Sequence, residues 1–495
     1  MLRDLSYILT EFLKLLPSIG LVLNIVFGLI VVFYERRNPV VTWAWLMVIT
    51  LIPYIGFLIY LLVGLDSRKY RVFAFKAKKD EDIFDQFLQI DGNKFLQEQA
   101  DVISRKNILN VPGSEYLNDM IYLNFFSGNG AYTDNNNVKL FFNGVTKFDE
   151  MLKDIRHAKR FIHLEYYIIR NDETGQRLIE ALAEKAAQGI DVRLLADGMG
   201  CLFTPRRLFK PLVKAGGHVA YFLSPHFIRI NFRNHRKICV LDGCIGYIGG
   251  LNIGNEYLGL VKHFGYWRDT HVKLKGNAVK QLELRFLMDW NFCSPDDIKF
   301  SDGFFPNVKS SGSGVSMQIV SSGPDTAQHN ILNAYIKMIS EANNTIYIQS
   351  PYFVPDSSIF DALRIAALSG IDVRIMIPCK RDHPFVYWAS LSYLGELVEL
   401  GAKCYKYEKG FVHSKIIMTD SLVCSIGTAN MDIRSFKLNF ECNAFIYDKT
   451  ITKRLEEQFI RDINDSTRIE YDWYIARGNI TKIRESVSRL LSPLL

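Results

Sequence analysis

Two stretches of the chain carry one pattern, His-x-Lys with an Asp five residues beyond the Lys: His235, Lys237 and Asp242, then His413, Lys415 and Asp420. An imidazole serves as nucleophile or as general acid and base, and a lysine ammonium neutralises charge on oxygen. On an extended strand, residues two apart face the same way, so each His and Lys point together with the Asp at or beyond the strand end. One chance copy of the full pattern is expected about 0.03 times in a chain of this length at average residue usage, so the second copy is informative. The bare His-x-Lys pairs beginning at His157 and His271 lack the Asp and say little.

Gly249-Gly250-Leu251-Asn252 follows the first motif and Gly427-Thr428-Ala429-Asn430 the second. Small residues let backbone amides approach a phosphate, and the Asn252 and Asn430 side chains can donate to phosphoryl oxygens. Thr428 adds a hydroxyl where the first half has Gly250, so the halves are expected to bind phosphate unequally. Farther along, Asp269 and Glu441 are candidates for the carboxylates that orient the imidazoles. The set suits a phosphodiester, whose transfer needs a nucleophile, a proton donor for the departing alkoxide, and cations for the remaining oxygens. With no carboxylate cluster near the motifs, a two-metal mechanism is disfavoured and the lysines take the metal's place. The expected route has one imidazole attack phosphorus to give a phosphohistidine. The other protonates the leaving hydroxyl and then deprotonates the incoming one. The residues leave open which histidine does which, and whether water or an alcohol accepts the group.

The elements that must position these groups are duplicated. Gly189-Ile190-Asp191-Val192-Arg193 recurs as Gly370-Ile371-Asp372-Val373-Arg374, and Phe161 to Tyr167 parallels Thr345 to Tyr352. In each half an amphipathic stretch, Lys147 to Ala158 or Ile331 to Ala342, leads into a β-branched and aromatic run, a second helical stretch and another apolar run. That order predicts an α/β fold with a mostly parallel or mixed sheet in each of two pseudo-symmetric halves. Both motifs are then expected to meet at one site. The expected divisions are a connector of unassigned structure at 69–110, a first domain at 111–305, a Ser/Gly linker at 306–315 and a second domain at 316–495.

The 495 residues are 48% hydrophobic and 22% charged, which excludes a disordered or fibrous chain, and the net charge of +7 leaves nucleic acid, anionic lipid and phosphorylated substrates open. The N-terminus departs from this average. Residues 15–34 and 39–65 carry no charge, and each run is long enough to span a hydrocarbon core of about 30 Å. Glu35, Arg36, Arg37 and Asn38 after the first run do not suit a signal-peptide cleavage site. Lys and Arg are concentrated outside the pair, at Arg3, Lys14 and from Arg68 to Lys79, with only Arg36 and Arg37 in the loop. Residues 1–68 therefore read as a two-helix transmembrane hairpin with both termini and the catalytic region in the cytoplasm. Eight scattered cysteines with no C-x-x-C are expected to be reduced. Gly128-Asn129-Gly130 lacks the rest of a nucleotide loop, so neither a nucleotide nor a metal cofactor is expected.

The paired motifs with their Gly-x-x-Asn tails resemble the phospholipase D superfamily. Within it, the Glu35-Arg36-Arg37-Asn38-Pro39 loop leading into Thr42-Trp43-Ala44-Trp45 resembles bacterial cardiolipin synthases, as do Ser321-Ser322-Gly323-Pro324-Asp325 and the ending Arg489-Leu490-Leu491-Ser492-Pro493-Leu494-Leu495. The resemblance implies two α/β halves sharing one active site, no cofactor, and a place in the bacterial cytoplasmic membrane. It implies transfer of a phosphatidyl group from one phosphatidylglycerol to another with release of glycerol, and no nucleic-acid partner. By the same analogy His235 is the nucleophile and His413 the general acid and base. The alternatives are a hydrolase releasing phosphatidic acid, a transferase using another phospholipid as partner, and a non-enzymatic membrane scaffold. Two complete His/Lys/Asp sets argue against the scaffold.

Four weaker features have two readings each. The alternation from His226 to Arg236 is a basic and apolar entrance for lipid or a half-buried strand. Arg206 and Arg207 hold a second lipid phosphate or are solvated. The basic run from Arg68 to Lys79 touches anionic lipid or is a charged linker. Ile483, Val487, Leu490, Leu491 and Leu494 form one helical stripe, expected to pack against the enzyme body, with an anionic membrane surface as the other partner.

Overall fold

A computed structural model of the chain describes residues 22, 25–26, 28–29, 32–33, 39–52, 55–60, 67–104, 115–222, 231–299, 301–306, 314–326 and 328–492. The repeated Gly-Ile-Asp-Val-Arg segment shows how local chemistry builds each half. Gly189 and Gly370 adopt φ of 83° and 85°, where a side chain would be strained. Each ends a helix, Glu173–Ala187 or Ser357–Leu368. Beyond each glycine, Ile190 and Ile371 donate back to the carbonyls of Lys185 and Ala366, the bond pattern of a glycine-terminated helix. The chain then enters the strands Asp191–Asp197 and Asp372–Pro378, where Arg193 pairs with Asp191 and Arg374 with Asp372 two residues apart on one face.

The first sheet runs His218–Phe222, Asp191–Asp197, Phe161–Tyr166, Lys237–Leu241, Ile245–Gly249, Tyr266–Lys275, Thr133–Asn143, with the first three strands parallel and the rest antiparallel. The second repeats that order as Lys403–Tyr407, Asp372–Pro378, Thr345–Gln349, Ile416–Thr419, Val423–Gly427, Asn439–Ile446, Val315–Ser322, with Ser466–Ile469 added at its edge. Both sheets are mixed. Thr133 and Asn136 also pair with Met317 and Val315, which joins the halves edge to edge. Inward residues of both sheets, including Ile238, Val240, Ile416 and Met418, share one core with Val279 and Leu282 of helix Ala278–Cys293 and Leu455 and Phe459 of helix Lys449–Asn464. Separate outer cores lie under the remaining helices of each half.

Two expectations about organisation change, and the connector left unassigned takes a structure. Helix Glu115–Gly128, placed by chain order in the first domain, buries Leu117, Met120 and Ile121 with Ile331 and Tyr335 of the second, because its apolar face meets the helix Asn330–Ser340. The connector is one helix of 38 residues, Ser67–Ser104. Its basic run does not face lipid throughout: Lys76 is buried among Asp80, Asp289 and Asp325 at 2.7 to 3.0 Å, and Lys79 pairs with Asp297. Residues 307–313 of the expected linker and most of the first apolar run lie outside the described residues.

In the second apolar run, helix Pro39–Leu51 has 13 residues, about 20 Å at 1.5 Å per residue, and a separate turn of helix follows at Ile55–Ile59. The two pack together, with the Trp45 and Tyr60 rings 5.3 Å apart, and a Cβ on Gly56 would stand 2.4 Å from the Val48 carbonyl oxygen. Only glycine allows that approach. Among the described residues no helix is long and apolar enough to cross a membrane.

Candidate active site

Strands Lys237–Leu241 and Ile416–Thr419 occupy the middle of their sheets, so the histidines just before them emerge where the halves meet. Each is tied to the opposite half. Arg233–Asn234 pairs in parallel with Asn439–Phe440, and Gly410–Val412 pairs in parallel with Tyr266–Arg268. The His235 amide donates to the Phe440 carbonyl at 2.9 Å and the His413 amide to the Arg268 carbonyl at 2.7 Å.

The carboxylates cross over in the same way. Nδ1 of His235, from the first half, lies 3.0 Å from both oxygens of Glu441 in the second. Nδ1 of His413 lies 2.8 Å from Asp269 Oδ2 of the first half. An Nδ1–H donated to a carboxylate leaves the Nε2 lone pair for chemistry. Burial holds His235 down at about 4 and His413 at about 3, so both rings are neutral near pH 7. Burial resists ionisation of Glu441, but His235 and Lys237 beside it keep its carboxyl below the usual range. The imidazoles open on one cavity of about 620 Å³, whose walls include Tyr167, Asn252, Trp267, Tyr352, Asn430 and Arg434.

Lys237 and Lys415 lie beneath the histidines, each donating from Nζ to the carbonyl of its own His at 2.5 Å. Burial brings Lys237 down to about 7, with Lys415 nearby lowering it further, and brings Lys415 to about 8. Two buried ammonium groups this close are poised to gain full charge when an anion arrives.

Asp242 and Asp420, grouped by spacing with the catalytic His and Lys, do not reach the cavity. A strand rises about 3.3 Å per residue, which carries each Asp to the far end of the sheet. There, at φ of 54° and 55°, Asp242 accepts from the amides of Lys159, Arg160 and Phe161, and Asp420 from those of Asn343, Asn344 and Thr345. Each pins the start of the neighbouring strand and so fixes the strand carrying its own His and Lys. Thr428 is not a cavity residue either: its hydroxyl accepts from the Cys442 amide at 2.9 Å, next to Glu441. Gly250 has its own reason, since a Cβ there would stand 2.2 Å from Asp269 Oδ1 and displace the carboxylate that holds His413.

Asn252 and Asn430 do line the cavity. Asn252 Oδ1 accepts from the Ile168 amide at 3.2 Å, which turns its NH₂ group away from that backbone. Arg206 and Arg207 are exposed on a short turn, Arg206 over Tyr221, apart from the cavity walls. The arginines at the cavity are Arg170, which pairs with Glu256, Arg233, and Arg434, which donates to the side-chain and backbone oxygens of Asn231. The alternation around residues 226–236 pointed to Arg233, although 223–230 lie outside the described residues. Arg434 has no repeat-related partner in the sequence and was not anticipated. Tyr167 and Tyr352 were available from the repeat, since they end equivalent segments.

A duplicated mixed α/β fold in which two His-x-Lys strands share one cleft defines a phosphodiester-processing enzyme of the phospholipase D superfamily. The family model described as "Cardiolipin synthase, PLD-like domain" matches residues 151–290 and 335–463, and one described as "Phospholipase_D-nuclease N-terminal" matches 22–64. The chain is 46% identical to the "Major cardiolipin synthase ClsA" of Bacillus subtilis, over 97% of this chain and 99% of that one. It is 44% identical to a cardiolipin synthase of Oceanobacillus iheyensis, also over 97% and 99%. The crystal structure of Haemophilus influenzae phosphatidylserine synthase shares the fold, with a TM-score of 0.59 at 14% identity over 76% of this chain and 97% of that one. The chain belongs to the cardiolipin synthase family, the phosphatidyltransferases of that superfamily.

Proposed function

We propose that this enzyme makes cardiolipin by moving a phosphatidyl group from one phosphatidylglycerol to another through a phosphohistidine. The observation that carries the reading is the crossed pair of imidazole–carboxylate contacts opening on one cavity. Nε2 of His235 attacks phosphorus, and the bond to the glycerol oxygen breaks as His413, which takes up a proton when the bound phosphodiester's negative charge raises its pKa beside Asp269, supplies that oxygen's proton. His413 then takes the proton from a hydroxyl of the second phosphatidylglycerol, whose oxygen displaces His235. One phosphodiester replaces another, so the sequence of steps balances with glycerol as the by-product. Lys237 and Lys415 neutralise the phosphoryl oxygens, and Asn252 and Asn430 donate to them. Asp269 and Glu441 orient the rings, while Asp242, Asp420 and Thr428 act by positioning. Arg233 and Arg434 suit the phosphate of the second lipid.

The runs 15–34 and 39–65 hold the enzyme in the bacterial cytoplasmic membrane as a hairpin with the catalytic halves on the cytoplasmic side. Support comes from their length and the placement of Lys and Arg around them, and from Trp43, Leu51 and Ile55, which stand exposed. The fold-back between Pro39–Leu51 and Ile55–Ile59 favours a hairpin that is partly re-entrant, entering and leaving the bilayer on the cytoplasmic side.

The test is to reconstitute the full-length enzyme in phosphatidylglycerol vesicles, without added nucleotide or metal, and to quantify cardiolipin, glycerol and phosphatidic acid together. Equal cardiolipin and glycerol are expected. Phosphatidic acid without cardiolipin would make water the acceptor, and product formed only with a different added phospholipid would change the partner.

The lysines predict a pH dependence for anion binding. A bound dianion raises both ammonium pKa values above about 7 and 8, so binding takes up protons. The affinity is therefore complete at low pH and falls as pH rises through those values, by up to about tenfold per unit for each lysine. In the free enzyme the histidines, held at about 4 and 3, do not titrate in that window, so the proton that His413 gains with the anion adds a pH-independent uptake only below its raised value. Calorimetry with tungstate in buffers of different ionisation enthalpy measures both quantities. A flat affinity with no proton uptake would remove the lysines from the phosphate site.

A further inference from the structure

The C-terminal helix, Asn479–Leu490, is amphipathic and docked the wrong way round for a soluble protein. Its polar face meets the enzyme body: Glu485 and Ser488 are 2% and 1% exposed. Glu485 accepts from Arg477 at 2.7 Å, Arg489 pairs with Glu396, and the Ser492 hydroxyl lies 3.1 Å from that of Tyr393. The opposite stripe of Ile480, Ile483, Val487 and Leu490 is 68%, 62%, 46% and 56% exposed. Spacings of three, four and three put these four side chains on one face. Of the expected stripe, Ile483, Val487 and Leu490 thus do not pack on the body, Leu491 is half-buried, and Leu494 lies outside the described residues. Trp473 and Ile475, on the short helix Tyr471–Ala476 just upstream, are exposed as well.

We propose that this stripe is a lipid-docking surface that lies in the headgroup region of an anionic bilayer and brings the mouth of the active-site cavity to the membrane. The choice of a bilayer rests on the phosphatidyl transfer proposed above and on two features of the structure. First, the charge fits. Lys482 and Arg484 are exposed on the flanks of the stripe, and Arg484 lies over the Trp388 ring at 5.6 Å with Arg381 over the same ring at 4.8 Å. Cations and an indole beside an apolar stripe suit the boundary between headgroups and acyl chains. Second, the surface continues into the site. The helix that the stripe's helix docks on, Pro384–Glu399, begins at the cavity, where His383 and Val386 form part of the wall. Phe385 is exposed at that same end. A second protein copy seated here would stand beside the mouth through which a diacyl substrate must pass.

Two measurements on the full-length enzyme test the proposal. Val487→Trp adds a reporter whose emission, taken as the difference from the parent enzyme, is expected to be quenched by brominated-chain lipids in phosphatidylglycerol vesicles. Bromine placed shallowly should quench more than bromine placed deep. This readout needs no turnover, so it stands even if the proposed reaction fails; an unquenched reporter would overturn the docking. In the second, Ile483→Ser with Val487→Ser is expected to lose at least fivefold activity on vesicles and less than twofold on short-chain phosphatidylglycerol below its micelle concentration. Equal losses on both substrates, or on neither, would overturn it, as would a change in oligomeric state with vesicle activity intact, which would assign the stripe to a second copy.

Discussion

Replacing His235 or His413 by alanine is expected to cut cardiolipin formation by about a thousandfold or more, since each removal abolishes a nucleophile or a proton relay. The two losses should differ in kind. With His413→Ala, the missing proton matters most when the leaving group is a poor one. A synthetic lipid phosphodiester carrying nitrophenol should therefore still release one equivalent of nitrophenol per enzyme and leave a phosphorylated protein. With His235→Ala, no burst and no phosphoprotein should form on the same substrate. Rapid-quench analysis with mass measurement of the denatured protein distinguishes the outcomes. A burst from His235→Ala and none from His413→Ala would exchange the roles, and a burst from both would eliminate the covalent route. The crossed contacts add a second effect. Each alanine also leaves a fully buried carboxylate, Glu441 or Asp269, without its imidazole in the opposite half. His→Gln variants, which can still donate to the carboxylate, should recover folding and no activity.

The next largest effect is expected on stability rather than on the chemical step. Asp289 is buried among three cations: Lys76 at 3.0 Å, Arg285 at 3.0 Å and Arg236 at 2.5 Å. Asp80 and Asp325 complete a group of three cations and three carboxylates. Glu165 beside them is pushed well above the ordinary carboxyl range by burial and by Asp289. Burying charges is tolerable only while they are balanced, and removing one partner of such a group costs about 3–5 kcal/mol. Asp289→Ala is therefore expected to lower stability by about that amount, read from the midpoint of chemical unfolding. Adding Lys76→Met should restore part of the loss by removing the unpaired cation. A loss under about 1 kcal/mol would mean that water reaches the cluster and screens it. The cluster also bears on the site, because Arg236 stands between His235 and Lys237 and donates from Nε to the Glu441 carbonyl at 3.3 Å. From the helix Ser67–Ser104, Phe73 adds ring contacts to Phe232 and Phe440.

What the sequence could reveal divides along physical lines. The repeat was legible because Gly189 and Gly370 mark positions where the backbone admits little else, and the two sheets then follow in the same order. The His and Lys pairs were legible because strand geometry is local. The partners of those histidines could be suspected but not assigned to halves, since spacing along one half says nothing about which half supplies Glu441 or Asp269. Asp242 and Asp420 show the converse. They recur with the His and Lys because the same strand must be anchored at one end and reactive at the other. Lys76 looked like one more base in a charged run, and only three acids drawn from distant parts of the chain reveal it as buried. The C-terminal stripe was recognised as apolar, but which way it turns depends on Arg477, Glu396 and Tyr393, polar contacts that periodicity does not encode.

The exchange of carboxylates between the halves also makes each depend on the other. A single half holds an imidazole and a carboxylate that do not serve each other, so a half on its own would need a second copy to complete the pair. Carrying both halves in one chain keeps that dependence without requiring strict symmetry. One orienting acid is Glu441 and the other Asp269, and Gly250 faces the latter where the second half carries Thr428. A change that moves Glu441 or Asp269 in one half is therefore felt by the histidine of the other.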